Sequence, residues 1–376
     1  MAEKKKIVFL SGTRADFGKL KPLIKAVGEN QQYEAHVFVT GMHMLERYGG
    51  TAREVLKEVW NVYLYNNQTF SSRMDIVLSN TIYGFSYYIS EIKPDLIVIH
   101  GDRVEALAGA TVGSFNNILV AHIEGGEISG TIDELIRHSI TKLAHIHFVA
   151  NEQAKKRLIQ MGEKKESIHI IGSPDIDIMF SDNLPAKEDV FKYYDINFDD
   201  YAILVHHPVV TEIEKMARNI KEMVDAVIES GQNYVVIYPN NDPGSEIIFN
   251  EYKRLNNLTN FRVYPSIKFE KFLVLLKNCK FIIGNSSAGI REAPIYSIPT
   301  INIGTRQHNR FNHESIFNVQ EKKEPILKTI NNIMNNSYKF SPSYFFGDGS
   351  SISKFMETLE KQSLWETKTQ KQFIDL

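Results

Sequence analysis

Residues 118–143 read ILVAHIEGGEISGTIDELIRHSITKL, and this stretch decides the fold class. The apolar run at its start, residues 118–121, predicts a buried β-strand. Residues 132–143 repeat apolar positions at helical spacing and predict an amphipathic helix. The turn between them places carboxylates, an imidazole and glycines at the carboxyl end of a strand. In open α/β sheets this edge binds ligands, so the stretch predicts a ligand site on a strand-to-helix unit.

The same alternation of short apolar runs with longer helical segments continues along the chain, and it predicts α/β domains with doubly wound parallel sheets. Predicted strands of the first half are residues 7–11, 36–40, 96–100, 119–123, 147–150 and 168–171, and those of the second half are residues 202–206, 234–238, 262–264, 281–283 and 300–303.

A chain of 376 residues is too long for one compact core, so two Rossmann-like domains facing a cleft are expected. We predict the N-terminal domain at residues 1–180 and the C-terminal domain at residues 201–350, with a polar linker at 181–200. Residues 351–376 are expected to form a helix and tail that pack back on the N-terminal domain. The cleft suits a nucleotide-sugar, with the sugar against one domain and the nucleotide against the other.

Charge and cysteine content exclude several classes of function. The chain has 43 basic and 45 acidic residues, a net charge of −2, so no overall field attracts nucleic acid or an anionic membrane. The apolar run at residues 7–10 is too short for a signal peptide, and no run approaches the roughly 18 apolar residues of a membrane helix. The lone cysteine, Cys279, permits no internal disulfide and is expected to be a small buried residue. We expect a soluble cytoplasmic protein without nucleic-acid or membrane partners.

Acidic residues follow two neighbouring predicted strands and open the next helix. Asp102 and Glu124 come after strands, and Asp133 lies in the first helical turn. Three acids on one rim suggest acid/base chemistry on an uncharged carbon framework. The alternative is structural, because such acids often cap helices or pair with arginines, here Arg103 and Arg137.

Metal binding by these acids together with His100 or His122 is a weaker alternative. The sequence has neither HExxH nor Cys-pair spacing, so no metal is expected.

Residues 11–18, SGTRADFG, follow the first predicted strand and open a helix. Backbone amides at a helix start bind phosphate, and Arg14 can add a charge-assisted contact. The alternative is a glycine turn capped by Asp16, with Arg14 paired locally. Because GxGxxG is missing, no dinucleotide fingerprint is present and no nicotinamide cofactor, or any other cofactor, is expected.

The second half offers a similar turn, GNSSAG at residues 284–289, which is predicted to open a helix carrying Arg291 and Glu292. Glu292 is placed to accept both hydroxyls of a ribose, and the alternative is a serine cap with a surface glutamate. His206 and His207 end another strand. Since successive side chains point to opposite faces, at most one is expected to reach a ligand, and the alternative is a strand-end histidine capped by backbone.

Together these motifs closely resemble the hydrolysing UDP-N-acetylglucosamine 2-epimerases of bacterial sialic acid synthesis. The resemblance covers nearly the whole chain and includes TGMHM at residues 40–44, IGSP at 171–174, YPN at 238–240 and GTRQ at 304–307. It implies the two-domain fold of the B-type glycosyltransferases, with UDP held mainly by the C-terminal half, and a homo-oligomer, either a dimer or a tetramer. Residues 125–133 resemble the hydrolysing type, because non-hydrolysing relatives carry a proline-containing segment there.

The resemblance also implies site residues. Catalytic acids are expected at Asp102, Glu124 and Asp133. Contacts to the diphosphate are expected from Arg14, His207, Ser286 and Ser287. Glu292 is expected to contact the ribose, and Asn240 and Arg306 are expected to make further nucleotide contacts.

The activity expected from this resemblance converts UDP-N-acetylglucosamine and water to N-acetylmannosamine and UDP, by elimination to a glycal and hydration. The main alternative is the same chemistry on UDP-N,N′-diacetylbacillosamine, because relatives with that substrate carry nearly the same motifs. A UDP-sugar glycosyltransferase is a more distant alternative, since the fold and UDP site would look alike. The remaining one is a non-catalytic UDP-sugar-binding protein.

Overall fold

The computed structural model describes residues 3–57, 61–69, 72–129 and 131–375, which divide into two compact units. The first unit contains the described residues of Met1–Glu127, Asp133–Ser181 and Phe345–Leu376. The second contains those of Ile128–Ile132 and Asp182–Tyr344. The segment predicted as a returning tail, 351–376, thus belongs to the first unit, which the chain rejoins at Phe345. Gly130 of the opening stretch lies outside the described residues.

The sheet of the first unit is parallel, with seven strands in the described part of the chain. These strands are β1 (Lys5–Ser11), β2 (Tyr33–Val39), β3 (Asn61–Leu64), β4 (Leu96–His100), β5 (Leu119–Ile123), β6 (Ile146–Val149) and β7 (Ile168–Ile170). Their order in the sheet is β3-β2-β1-β4-β5-β6-β7, so the direction of winding reverses between β1 and β4. In doubly wound sheets ligands bind at this reversal, beyond the carboxyl ends of the strands.

Helices cover this sheet because their apolar faces match its buried strands. They are α1 (Arg14–Glu29), α2 (Ala52–Val55), α3 (Met74–Ile92), α4 (Val104–Phe115), α5 (Ile132–Leu143), α6 (Glu152–Gln160) and α7 (Pro174–Met179). In α1 the buried residues Phe17, Leu20 and Ile24 recur at helical spacing and pack in one core with β1 and β2.

The second unit repeats this design around a parallel sheet of six described strands. They are β8 (Ala202–Val205), β9 (Tyr234–Ile237), β10 (Phe261–Tyr264), β11 (Ile282–Gly284), β12 (Thr300–Ile303) and β13 (Ile316–Val319), in the order β10-β9-β8-β11-β12-β13. Its helices are α8 (Lys187–Tyr193), α9 (Ile213–Glu229), α10 (Ser245–Tyr252), α11 (Phe269–Asn278), α12 (Ala288–Arg291) and α13 (Lys323–Asn335). The winding reverses between β8 and β11. The prediction of two doubly wound α/β domains is confirmed.

The sequence predicted residues 181–200 as a linker, but all of them after Ser181 are part of the second unit. They contain α8, and Val190 of that helix is fully buried in one core cluster with Ile196 and Tyr201. The segment is short and polar, and too few of its apolar residues recur at helical spacing to predict a helix. Its sequence therefore looked like that of a linker.

Strands β3 and β13 were not predicted. Both lie at sheet edges, and β3 exposes three of its four residues. An edge strand buries little, so it lacks the continuous apolar run that marks the central parallel strands.

The chain ends in two helices on the first unit, α14 (Ser351–Leu359) and α15 (Gln362–Trp365). Asp177 binds the start of α14, because its Oδ1 accepts from Ser351 N at 3.0 Å and its Oδ2 from Ile352 N at 2.9 Å. Trp365 stacks on Tyr33 with ring centroids 6.0 Å apart. Among the described residues, we find no helix with the length and apolar character needed to cross a membrane.

Candidate active site

Two of the predicted catalytic acids, Asp102 and Glu124, follow the neighbouring strands β4 and β5, and the third, Asp133, lies in the first turn of α5. Arg137, in the middle of α5, is 1% exposed, and its Nη2 donates to Asp102 Oδ2. Burial alone would lower the pKa of Arg137, but the charges of Asp102, Glu127, Asp133 and Glu124 raise it. Of the three predicted acids, Asp102 pairs directly with this buried guanidinium, and Asp133 and Glu124 act on it through their charges. The sequence had suggested Arg137 as a structural partner of these acids.

Glu124 is the most enclosed of these acids. It is 5% exposed, and its backbone φ of +69° is in the left-handed region, which is unfavourable for a non-glycine residue. Glu124 Oε1 accepts from Ser173 Oγ at 2.7 Å and from Lys19 Nζ at 3.3 Å. His100 Nε2 also lies 3.3 Å from this oxygen. These contacts hold the carboxylate in one place at the end of β5.

Lys19 links Glu124 to a second buried acid. Its Nζ lies 3.4 Å from Asp175 Oδ2, and Asp175 is 0% exposed. Lys19 itself is 7% exposed, so one ammonium stands between two buried carboxylates. Sequence reasoning missed Lys19, although it lies one turn before Leu23 on the apolar face of α1, where a lysine is unusual.

His122 fixes the backbone beside Asp102. Its Nε2 lies 2.8 Å from Gly101 O, so the ring carries its proton on Nε2 and donates to this carbonyl. Gly101 has a φ of +75°, which glycine adopts without strain. Burial lowers the pKa of His122 to about 3, so the ring is neutral at neutral pH. His122 thus holds the turn that presents Asp102.

The turn at the start of α1 differs from its prediction. The amides of Gly12 and Thr13, which the sequence suggested as phosphate donors, each donate to the carboxylate of Asp16 at 2.9 Å. The Thr13 hydroxyl in turn accepts from Asp16 N, which completes a capping box. Arg14 pairs with Glu54, with its Nε 3.0 Å from Oε2. The structural alternative is therefore realised for Asp16, and a role of Arg14 toward a diphosphate stays a proposal.

In the second unit, Asn285 joins three loops beyond strand ends. Its side chain accepts from His207 N at 2.7 Å and donates to His207 O at 2.9 Å. Its backbone carbonyl accepts from Arg306 Nη1 at 3.4 Å and from Gln307 Nε2 at 3.0 Å. His207 Nδ1 accepts from Asn240 N at 3.0 Å, which places the proton of the neutral ring on Nε2. These hydrogen bonds bring the predicted residues His207, Asn240 and Arg306 together. The sequence did not predict the role of Asn285 in joining their loops.

The backbone directly before Asn285 requires glycine. Gly284 has a φ of +130°, and a Cβ there would lie 2.0 Å from Val205 O. This close approach lets β11 end beside β8, where the strand order reverses. His206, next to this crossing, is buried, and burial together with the charge of Arg306 lowers its pKa to about 3. Of the two adjacent histidines, His206 is enclosed and His207 is at the rim.

The helix predicted after the GNSSAG turn is only one turn long, because α12 spans Ala288–Arg291. A helix does begin after this turn, as predicted, but it adds little positive potential at Ser286 and Ser287, since the helix dipole sums over aligned peptides. Ser286 Oγ accepts from Ala288 N at 3.3 Å, and Ser287 is the N-cap residue of α12. Glu292 follows the helix and is 3% exposed, so it is not a surface glutamate. Burial and the charge of Glu292 raise the pKa of the neighbouring Tyr296.

We found no cluster of three or more His, Cys, Asp or Glu side chains suited to a metal ion in the described part of the chain. The acids of the first unit instead face the cations of Lys19 and Arg137. Cys279 is buried, and its thiol donates to Leu276 O at 3.2 Å.

Stability is expected to fall as the pH drops below about 6.5, because buried neutral histidines resist protonation. Burial lowers the pKa of His122 and His206 to about 3 and that of His43 to about 4. Between these values and 6.5 the unfolded chain binds more protons, so each histidine costs about 1 kcal/mol per pH unit. Melting temperatures measured by calorimetry at pH 7.5, 6.0 and 5.0 should fall in that order, and a constant melting temperature would contradict the burial of these rings.

Comparison with known proteins identifies relatives over the whole length of the chain. The sequence model of the family described as UDP-N-acetylglucosamine 2-epimerase matches residues 25–360. The chain is 49% identical over 376 residues to the UDP-N-acetylglucosamine 2-epimerase of Neisseria meningitidis serogroup B, with 99% of each chain covered. It is 31% identical over 363 residues to the UDP-N,N′-diacetylbacillosamine 2-epimerase (hydrolyzing) of Legionella pneumophila, with 95% of this chain and 96% of that protein covered.

Among solved structures, the fold is similar to that of the UDP-GlcNAc 2-epimerase of Methanocaldococcus jannaschii in complex with UDP-GlcNAc and UDP. The TM-score is 0.81 at 23% identity, and the match covers 94% of this chain and 99% of that chain. At this identity the likeness concerns the fold, and it supports the prediction of two Rossmann-like domains.

Proposed function

Because the chain belongs to the UDP-N-acetylglucosamine 2-epimerase family, we propose that it hydrolyses UDP-N-acetylglucosamine with inversion at C2, releasing N-acetylmannosamine and UDP for the synthesis of sialic-acid-type sugars. The observation that carries the proposal is the position of Asp102 and Glu124 just after the neighbouring strands β4 and β5, with Asp133 at the start of α5 and Arg137 of the same helix paired with Asp102. Two proton transfers at carbon require at least two acid/base groups at one site.

The chemistry explains why acids must act together with a leaving group. The C2 proton of the sugar is not next to a carbonyl, so its direct removal would give an unstabilised carbanion. Departure of UDP from C1 gives that carbon oxocarbenium character, which acidifies C2. One carboxylate then takes the C2 proton and a glycal forms. A second acid, in its protonated form, donates a proton to the opposite face of C2. Water adds at C1 and gives its proton to the carboxylate formed in that step, so that N-acetylmannosamine and UDP are the products.

The second unit supplies groups suited to UDP as a leaving group. We propose that His207 Nε2, Ser286 and Ser287 bind the diphosphate together with Arg14, that Glu292 binds the ribose, and that Asn240 and Arg306 add nucleotide contacts. Hydrogen-bond donors fixed before the reaction stabilise developing negative charge without reorganisation. Asn285 supports this assignment, because it holds the His207 and Arg306 loops at one place.

Two observations support hydrolysis and this substrate. Residues 125–133 resemble the hydrolysing type, and the Legionella relative is named as hydrolysing. Identity is 49% to the Neisseria UDP-N-acetylglucosamine enzyme and 31% to the Legionella enzyme, which favours UDP-N-acetylglucosamine. The Legionella enzyme supports a second candidate, the same reaction on UDP-N,N′-diacetylbacillosamine.

A homo-oligomer, either a dimer or a tetramer, belongs to the same proposal. Helix α3 supports it, because its exposed face carries Ile76, Tyr83 and Tyr87, with 47%, 62% and 64% of their surfaces accessible. Large apolar side chains grouped on a surface are typical of protein interfaces.

Proton NMR of the purified protein with UDP-N-acetylglucosamine in D₂O, without acceptor or added cofactor, tests the proposal. We expect free N-acetylmannosamine deuterated at C2 to appear together with UDP. Release of UDP without C2 exchange would contradict the epimerase chemistry. An unchanged spectrum from folded protein that binds UDP would contradict the substrate, and UDP-N,N′-diacetylbacillosamine would then be tested in the same way.

A further inference from the structure

The polar tail after α15 is anchored in the first unit by one lysine. Lys371 Nζ donates to Ala144 O at 2.6 Å, to Thr141 O at 3.1 Å and to Glu163 Oε2 at 2.5 Å. The two carbonyls belong to the end of α5 and the residue after it, where helical carbonyls lack partners within the helix. A cation at this end also complements the helix dipole. Lys371 thus caps α5 from a distant part of the chain.

The carboxylate that receives Lys371 is built into the core. The side chain of Glu163 is 2% exposed, and Lys142 Nζ lies 2.8 Å and His147 Nε2 3.0 Å from its oxygens. Burial would raise the pKa of Glu163, but the hydrogen bonds from His147, Lys142 and Lys371 hold it at about 2. Glu163 is therefore ionised at neutral pH and holds the Lys371 ammonium.

A second contact fixes the tail close to this point. His145 Nδ1 accepts from Val120 N at 3.0 Å, so the neutral ring carries its proton on Nε2. That Nε2 lies 2.8 Å from Thr369 O and donates to it. His145 lies two residues after the end of α5 and Val120 lies in β5, so the tail is bonded to the same strand-helix unit that carries the predicted acids.

The other end of α5 carries the candidate chemistry. Asp133 lies in its first turn, and Arg137, which binds Asp102, lies in its middle. Thr141 Oγ1 donates to Arg137 O at 3.1 Å, so the residue capped by Lys371 is also bonded to the backbone of Arg137. A helix of 12 residues spans about 18 Å and moves as a rigid rod. Fixing its last turn therefore fixes the direction in which Asp133 and Arg137 are presented.

We propose that Lys371 is a positioning residue for the reaction, which holds α5 from the C-terminal tail so that Asp133 and Arg137 keep their places at the site. The inference rests on the proposed function and extends it to a segment remote from the sugar. A displacement of about 1 Å at reacting groups costs about 100-fold in rate. Loss of the Lys371 contacts is expected to shift α5 by less than this, because the rest of the helix stays packed, and therefore to slow turnover about tenfold. Nucleotide binding should be unaffected, because no nucleotide contact is assigned to α5 or the tail.

The test compares three variants of the full-length protein. Lys371→Met removes the ammonium and keeps most of the apolar stem, whereas Lys371→Arg keeps a cation that can reach the same acceptors. Lys368→Met is the matched control, because Lys368 is an exposed lysine in the same tail. We would measure kcat, KM, UDP affinity, the melting temperature and hydrogen exchange of the α5 amides. The substrate is whichever of the two UDP-sugars the wild-type protein turns over.

We expect a fall of about tenfold in kcat for Lys371→Met with unchanged KM and UDP affinity, and faster exchange in the last turn of α5. Lys371→Arg should recover most of the activity, and Lys368→Met should behave as wild type. Unchanged kcat in Lys371→Met would overturn the proposal. Parallel losses of kcat, UDP affinity and melting temperature would also overturn it, since they indicate a general structural role. A wild-type protein without turnover would contradict the proposed function and not the role of Lys371. In that case, unchanged hydrogen exchange of the α5 amides in Lys371→Met would show that Lys371 does not hold α5.

Discussion

Glu124→Gln is expected to lower kcat about 1000-fold while UDP affinity changes less than about twofold. The substitution keeps the size and shape of the side chain and removes its charge and basicity. Ser173 Oγ, which donates to Glu124 at 2.7 Å, can still donate to the amide oxygen. Lys19 keeps its contact with Asp175 at 3.4 Å, so the fold around the site is retained. The loss is therefore expected in proton transfer, not in stability.

The control for this variant is Glu134→Gln. Glu134 is the residue after Asp133 in α5, and its side chain, about one third exposed, pairs with His138 at 3.5 Å. Because this pairing is partly screened by solvent, neutralisation of Glu134 should leave kcat within about twofold. C2 exchange measured by NMR and UDP binding measured by calorimetry give the two readouts. Wild-type turnover in Glu124→Gln would remove Glu124 from the catalytic set and leave Asp102 and Asp133 as the acid/base pair.

Sequence predicted the parts of the fold and site that depend on local pattern. Parallel strands buried on both faces show as runs of Val and Ile, and residues directly after them must lie at the ligand edge, which located Asp102, Glu124 and His207. The predictions failed where burial is low, as for β3 and β13 at the sheet edges. The helix predicted after Ser287 is present but is only one turn long. There Pro294 cannot donate to the i−4 carbonyl, and the chain continues as a 3₁₀ turn instead.

Contacts between segments that are distant in sequence could not be predicted from the local pattern of apolar and polar residues. The place of Lys19 on the apolar face of α1 is visible in the sequence, but its partners are not, because Glu124 follows β5 and Asp175 lies in α7. Asn285 looked like one small polar residue in a loop, yet its side chain and carbonyl join the His207 and Arg306 loops. In each case the role follows from the tertiary fold, because the partners come from helices and loops that are distant in sequence and adjacent only in the folded unit.

Lys19→Met is expected to destabilise the first unit by about 3–5 kcal/mol, the usual cost of removing one partner from a buried ion pair. Glu124 and Asp175 are 5% and 0% exposed, so water cannot replace the lost ammonium fully. For a unit of this size the loss corresponds to a fall of about 10 °C in melting temperature. Turnover should fall as well, because Lys19 holds Glu124 at 3.3 Å. Calorimetry of the purified variant measures the transition directly.

Two further variants separate the charge effect from the loss of a long side chain. Lys25 lies in the same helix with its side chain 67% exposed, 3.8 Å from Glu29, so Lys25→Met should change stability by less than about 0.5 kcal/mol. Adding Asp175→Asn to Lys19→Met removes one of the two stranded charges, and a double-mutant cycle should show a coupling of about 1–3 kcal/mol. If Lys19→Met melts like the wild type and the cycle shows no coupling, the ammonium does not hold the two acids. The ordering of Glu124 would then have to come from Ser173 and His100, which contact the same oxygen.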